Sequence, residues 1–301
     1  ATALRSRIWV NGQINDDWKY TGMIENNQNL KDNVGNEDTS FQRAYVNGKL
    51  GGLAVQAGRY HKKLAEGNVY DQRFDGVEVA YGKDVKLVAG YGKAAASSAG
   101  HIMNSYVSGK DKDGKDVISK EYADDVFYAD LTGKVGKLNL GVGYSKWGFE
   151  HDTEAVHADL TDDITIWTAT ANYAFDKNFN LGAMYLNGDT DGYDGDKDGY
   201  VVTASYKGAK AAKVGSWGLV AKYYDQGAQT YVAHTTDANT FGMTGFKGFG
   251  VGANYTLAKN IVANVAYYNT ESKLAKEIPG AADYLDRSKD HRFWTDVTFT
   301  F

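Results

Sequence analysis

The sequence predicts an all-β fold, a transmembrane antiparallel β-barrel with short turns at one end and long loops at the other. Three observations lead there. Apolar and polar residues alternate with a period of two over most of the chain, which gives each strand one oily and one wet face. Aromatic residues close these stripes at both ends, where an amphipathic ring sits well at headgroup depth. The stripes are separated in turn by short connections (Gly82-Lys83-Asp84, Asp176-Lys177-Asn178, Ala258-Lys259-Asn260) and by long polar loops (94–122, 148–163, 226–243, 271–289). That asymmetry belongs to outer-membrane barrels.

Composition agrees. The 301 residues include 22 Tyr and 35 Gly but only 1 Pro, which suits long antiparallel strands. No apolar run reaches the ~18 residues of a membrane helix. Mean hydropathy is −0.49, a value that misleads for a barrel, because each strand shows lipid only half its residues. The net charge of −5 is too mild for nucleic acid. Cysteine is absent, so there is neither a disulfide framework nor thiolate chemistry.

In chain order the alternation marks fifteen strands, at about 3–14, 17–26, 41–50, 52–60, 73–82, 84–93, 123–134, 137–147, 164–175, 178–188, 199–207, 215–225, 245–256, 260–270 and 290–301. One family of stripes follows short turns: Val85-Leu87-Ala89-Tyr91, Leu138-Leu140-Val142-Tyr144, Phe179-Leu181-Ala183-Tyr185, Trp217-Leu219-Ala221-Tyr223 and Ile261-Ala263-Val265-Tyr267. The other precedes them: Val77-Val79-Tyr81, Trp167-Ala169-Ala171-Tyr173-Phe175, Tyr200-Val202-Ala204-Tyr206, Phe249-Val251-Ala253-Tyr255 and the terminal stripe ending at Phe299 and Phe301. Each stripe of the first family is about 20 Å long at strand rise, close to the ~25 Å apolar band of such barrels. A soluble β-sandwich also alternates, but has no need of Tyr at both ends of nearly every strand. Bacterial single-chain barrels have an even strand number. The expectation is therefore sixteen strands, the missing one upstream of residue 1, in a single barrel domain over 1–301; the alternative is a structural surprise inside 94–122.

With that offset the chain resembles a sixteen-stranded general porin of the trimeric type. Leu4-Arg5-Ser6-Arg7-Ile8-Trp9-Val10-Asn11-Gly12 with Gln13-Ile14-Asn15-Asp16-Asp17-Trp18 resembles the second strand and first periplasmic turn of that family. Gln42-Arg43-Ala44-Tyr45-Val46-Asn47-Gly48, Leu53 to Tyr60 and Gln72-Arg73-Phe74-Asp75-Gly76-Val77 resemble the fourth, fifth and sixth. The pattern extends over most of the chain, with recognisable motifs in 1–81. Its tone is most similar to the barrels of the S-layer-homology-bearing, OmpM-type porins of the Negativicutes. The S-layer homology domain and coiled coil that precede the barrel in those proteins have no counterpart in this sequence.

The resemblance implies an outer-membrane homotrimer for passive diffusion of ions and small hydrophilic solutes, in contact with outer-membrane lipids and lipopolysaccharide, without a cofactor. It also implies a pore narrowed by an inward-folded loop at 61–72. By position the arginine ladder maps to Arg7, Arg43 and Arg73, with Arg59 at the loop's base, and the opposing acids to Glu66 and Asp71; Lys62 and Lys63 would lie in the pore and tilt selectivity towards anions. Parity puts Arg7 and Arg43 inward. Arg73 shares the parity of the apolar Val77 and Val79, the wrong one for a pore residue, and a bulge at Asp75-Gly76 would restore it. Fixed charge beside a constriction sets which ions enter. Rival readings are a substrate-specific, anion-preferring channel and a structural barrel that tethers the outer membrane to the cell wall.

Asp194-x-Asp196-x-Asp198-Gly199 copies the first half of a calcium loop, but Ser205 at the twelfth position cannot supply the bidentate carboxylate. A solvated acidic turn is the plainer reading. The six histidines, His61, His101, His151, His157, His234 and His291, show no metal-ligand spacing. No Ser-His-acid set stands on outward positions of neighbouring strands, so an enzyme is not expected.

Overall fold

The computed structural model describes residues 2–31, 38–95, 103–110, 112, 114–149, 163–190, 195–236, 245–273 and 289–301. The described strands are β1 (Ala3–Gln13), β2 (Trp18–Asn29), β3 (Asp38–Leu50), β4 (Leu53–Leu64), β5 (Tyr70–Gly82), β6 (Val85–Ala94), β7 (Met103–Lys110), β8 (Asp116–Tyr122) and β9 (Asp125–Val135). They continue with β10 (Leu138–Gly148), β11 (Asp163–Ala174), β12 (Phe179–Thr190), β13 (Asp198–Lys207), β14 (Trp217–Gln226), β15 (Phe246–Ala258), β16 (Ile261–Ser272) and β17 (Lys289–Phe299). Fifteen form one antiparallel sheet in chain order, and β7 and β8 pair only with each other. The fifteen sheet strands are those the alternation marks. The segment 94–122, expected as a loop, holds the β7–β8 hairpin. With fourteen antiparallel steps between them, β1 and β17 run in the same direction and form the two edges of the sheet.

The apolar rows face out. Val85, Leu87 and Tyr91 on β6, Leu140 and Val142 on β10, Leu181 and Tyr185 on β12, and Leu219 and Tyr223 on β14 are all exposed. A row of large apolar side chains repeated around the wall and left uncovered is the surface a lipid bilayer covers. Rings pair across strands near both ends of these rows: Tyr144 with Trp167 (centroids 4.5 Å apart) and Tyr185 with Tyr200 towards the loop end, Tyr206 with Trp217 towards the turn end.

The opposite faces enclose a second, dry cluster: Tyr60, Leu64, Val69, Tyr70 and Phe74 from β4, β5 and their connection, against Tyr128, Trp147, Ile164, Ile166, Met184, Leu186, Val201, Tyr224 and Phe246 from β9 to β15. A sheet whose inner face meets its own hairpin from β9 round to β15 must wrap around that hairpin.

The segment 61–72, expected as a loop, is the end of this β4–β5 hairpin. Its tip is a tight turn at Ala65–Gly67, with all three residues at positive φ. β3 pairs with β4 only from Ala44–Arg59 to Leu50–Leu53, and β5 pairs with β6 only from Phe74–Ala94 down. Beyond Tyr60 and before Phe74 the hairpin has left the ladders of β3 and β6; its two strands pair with each other and, at Tyr70, with Ala233. Three glycines stand in line at the departure, Gly58 opposite Gly76 and Gly76 opposite Gly92. A Cβ on Gly58 would lie 2.5 Å from the Ala44 carbonyl oxygen, and one on Gly76 would lie 2.3 Å from that of Tyr91. Gly58 also takes φ +119°, which only glycine adopts readily.

Candidate functional site: a hairpin across the lumen

The hairpin has two unlike faces. Tyr60, Lys62, Leu64, Tyr70 and Phe74 turn to the wall; Arg59, His61, Lys63, Asp71, Arg73 and Asp75 turn the other way, as period-two alternation requires. On the packed face, Tyr70 meets Trp147 with centroids 4.9 Å apart, and the Tyr60 and Tyr128 hydroxyls are 3.0 Å apart. The Tyr128 hydroxyl donates to Glu78 at 2.7 Å. Lys62 is buried here. Its ammonium donates to Glu78 at 2.7 Å, lies 3.8 Å from Asp130 and sits over the Tyr128 ring. Lys62 therefore does not line an open bore: buried cations need compensation, and these two acids supply it.

The tip reaches the far wall. Asn172 on β11 donates to Glu66 at 2.9 Å, and Asn68 donates to the Met184 sulfur on β12. A second inward segment, the start of the β14–β15 connection, grips it there. Val232 and Ala233 donate backbone N–H groups to the Val69 carbonyl, and Asp71 donates its own to the Ala233 carbonyl at 2.9 Å. The amide of Gln226 donates to the Asn68 carbonyl at 3.2 Å. Thr235 donates its N–H to Gly67 and its hydroxyl to the Asp71 carboxylate. His234 accepts from the Thr236 N–H at Nδ1, and its Nε2 is 2.8 Å from Gln226 Oε1. Since an amide oxygen only accepts, the ring is the neutral Nε2–H tautomer.

The open face carries the charge. Arg59 holds Asp75 with two hydrogen bonds of 2.7 and 2.6 Å. Asp71 receives His61 and, at 3.0 Å, Lys63. Arg73 stands opposite His61 across the hairpin, within electrostatic reach of Arg59, Glu25 and Asp75. The expected bulge at Asp75-Gly76 is absent, since β4–β5 and β5–β6 keep register through it. Arg73 keeps the parity of Val77; the bend at the glycines, not a slipped residue, turns that side of the strand from lipid to lumen.

On the wall strands, Arg7 on β1 donates to Glu25 on β2 at 2.7 Å. Arg43 on β3 sits beside a bulge: Met23 faces Arg43 while Ile24 faces Phe41, which leaves Gln42 without a partner. Its Nη1 is buried without a hydrogen-bond partner, within electrostatic reach of Arg7, Arg73 and Glu25. Arg7, Arg43, Arg59 and Arg73 thus gather on one side of the lumen with Glu25 and Asp75 among them. Glu66 is at the opposite wall, and Asp71 is neutralised within the hairpin.

The described carboxylates of the acidic turn point to different partners. Asp198 turns to Tyr185 and Asn187, while Asp196 pairs with Lys273, which also holds Asp225 at 2.6 Å. Asp194, His101, His151 and His157 lie outside the described residues. Among the described residues no group of three or more His, Asp or Glu is placed to hold a metal ion.

The grip by Tyr231, Val232 and Ala233 went unread in the sequence. Its signal was an apolar triplet inside an otherwise polar loop. The dry inner cluster had a signal too: near the loop end of several strands both parities are apolar, as in Val126-Phe127-Tyr128 and Ile164-Thr165-Ile166-Trp167.

Several solved structures resemble this one as a whole. A triple variant of the Rh. blastica porin superposes with a TM-score of 0.53 at 13% identity, covering 99% of this chain and 90% of that one. A second triple variant, of Rhodopseudomonas blastica porin, gives 0.52 at 13% with the same coverage. A third structure, described as "Asymmetric conductivity of engineered proteins", gives 0.54 at 12% identity, again over 99% and 90% of the two chains. No protein-family profile and no curated protein sequence matches the chain. The fold is that of a porin β-barrel.

Proposed function

We propose that this chain is an outer-membrane porin that passes ions and small hydrophilic solutes by passive diffusion. The observation that supports it most is the pairing of a lipid-facing apolar wall with a hairpin laid across the lumen, one face dry against the wall and the other charged. Hydrated ions cannot enter the dry side. The route left lies between the open face of the hairpin (Arg59, His61, Lys63, Arg73) and the β1–β3 wall (Arg7, Arg43, Glu25). Cations of the protein outnumber its anions along that route, and fixed charge beside a narrow bore selects the opposite sign; the pore prefers anions. The barrel is one domain that becomes even-stranded through a sixteenth strand between β1 and β17, antiparallel to both, and it assembles as a trimer. Planar-bilayer conductance with a reversal potential in a salt gradient tests the reading. Anion-selective steps support it, and an insulating bilayer with correctly inserted protein removes it.

A second reading is favoured by the gripped hairpin itself. A barrel whose lumen is bridged and packed this way also suits a structural role in which little passes. The same bilayer experiment separates the two.

A further inference from the structure

The turn end of the barrel carries an uncompensated ring of lysines. Lys19, Lys49, Lys83, Lys86, Lys134, Lys137, then Lys177, Lys207, Lys210, Lys213 and Lys259 stand in or beside seven successive short connections, against four carboxylates, Asp16, Asp17, Asp84 and Asp176. The chain as a whole is at −5, so an excess of seven cations at one end is a strong polarity. All eleven lysines are exposed; Lys19, Lys49, Lys86 and Lys134 have the lumen-side parity of Arg43 and Tyr128, so the seven that reach headgroups are Lys83, Lys137, Lys177, Lys207, Lys210, Lys213 and Lys259. Among the described residues none of them lies within 4 Å of a carboxylate, whereas at the loop end Lys146 pairs with Asp163, Lys247 with Glu271 and Lys273 with both Asp196 and Asp225. Asp176 is in addition engaged by the backbone N–H groups of Asn178 and Phe179.

Two contacts fix the depth of this ring. The Lys207 ammonium lies 4.6 Å from the centroid of the Trp217 ring and 5.1 Å from that of Tyr206, two outward aromatics at the turn-end border of the apolar band. Lys137 donates to the Phe175 carbonyl at 2.6 Å, one strand over on the same border. Aromatics at a bilayer border sit among headgroups, so ammonium groups touching them or their backbone are held at headgroup depth. Most of these connections span only a few residues and cannot project far beyond that layer towards a soluble partner.

We propose that this ring binds the anionic phospholipid headgroups of the leaflet at the turn end, and so selects the barrel's lipid annulus and fixes its vertical position. The inference rests on the porin reading for the membrane, but not on conduction. Each lysine near an anionic surface is worth roughly a fivefold gain in association, and the attraction falls away within about 3 Å at 1 M salt.

The test uses the full chain in mixed bilayers of phosphatidylcholine and phosphatidylglycerol, one lipid at a time carrying dibrominated acyl chains that quench tryptophan. Trp217 and Trp18 report the turn end. The expected result is a several-fold preference for phosphatidylglycerol at low salt. It should fall at least threefold in K207Q/K210Q/K213Q and nearly vanish at 1 M salt, while the triple variant keeps its heat-resistant folded band on gels. Equal quenching by the two lipids at low salt overturns the proposal, as does a preference that the triple variant and salt leave unchanged. Conductance on the same samples separates this from the function: a conducting barrel without lipid preference sinks the ring alone, and a silent barrel with the preference sinks the channel alone.

Discussion

Gly58 stands directly opposite Gly76 where the hairpin leaves the wall, and neither has room for a Cβ. The obstructing atoms are backbone carbonyl oxygens, which cannot swing aside as a side chain can. The bend into the lumen thus depends on two absent methyl groups. Gly58→Ala and Gly76→Val should each destabilise the barrel by about 1–3 kcal/mol through overpacking, with strain at φ +119° added for Gly58. Gly133→Ala is the control, because its Cβ would meet nothing nearer than 3.7 Å. Thermal unfolding in detergent, read by circular dichroism, should rank the variants in that order; equal losses in all three would remove the bend as the cause.

The grip between the hairpin and the β14–β15 connection yields the next expectation. Thr235→Val removes a hydroxyl that donates to Asp71, and Gln226→Leu removes the amide donated to Asn68. Leaving one partner of a buried hydrogen bond unsatisfied costs about 1–3 kcal/mol. That cost falls on the docked state of the tip, not on the wall, so overall melting should shift little while open-channel current becomes noisier and larger. Quiet, unchanged current in the double variant would show that the tip stays seated without the grip.

Selectivity follows from the gathered arginines. Replacing Arg7, Arg43 and Arg73 together with Gln should move the reversal potential towards cation preference, more at 0.1 M than at 1 M salt because screening shortens with concentration. Glu25 then keeps only Arg5, at 4.0 Å, as an ionic partner, which strengthens the shift. Lys62→Met should move it little, since that charge is already spent on Glu78 and Asp130. A reversal potential that responds to Lys62 and not to the arginines would place the ion path on the other side of the hairpin.

The wall was legible because lipid imposes a rule on every second residue: the rows beginning at Val85, Leu138, Phe179, Trp217 and Ile261 are where alternation puts them. The lumen was not, because nothing so uniform acts there. Inward positions can be polar where they meet water, as at Asn139, or apolar where they meet the hairpin, as at Tyr128 and Ile166. Arg73 shows the limit best. Its parity along β5 was read correctly and the device that turns it inward was not, because a bend at Gly58, Gly76 and Gly92 changes which side of a strand is inside without moving any residue out of register. A short polar stretch at 61–72 reads as a loop, yet Lys62-Leu64 and Tyr70-Gln72 continue the two strands.

His234 gives the pH dependence. Its ring is packed against Tyr224, Tyr231 and Phe246, and this burial, with the nearby Lys222 ammonium, holds it well below the ordinary imidazole value, Asp71 opposing more weakly. The neutral ring is satisfied on both nitrogens. A proton on Nδ1 would face the Thr236 N–H it now accepts from and break that bond. With the docked value below the free value of about 6.5, the docked segment binds fewer protons than the undocked one; docking is at full strength above pH 6.5 and weakens as pH falls below it. Single-channel noise should therefore rise between pH 7 and pH 4.5. His61, which is exposed and paired with Asp71, lies beside the same route, so the comparison needs His61→Gln and His234→Gln separately. The rise should survive in the first and vanish in the second. If it vanishes in the first instead, the open face of the hairpin senses the proton and the grip at His234 does not.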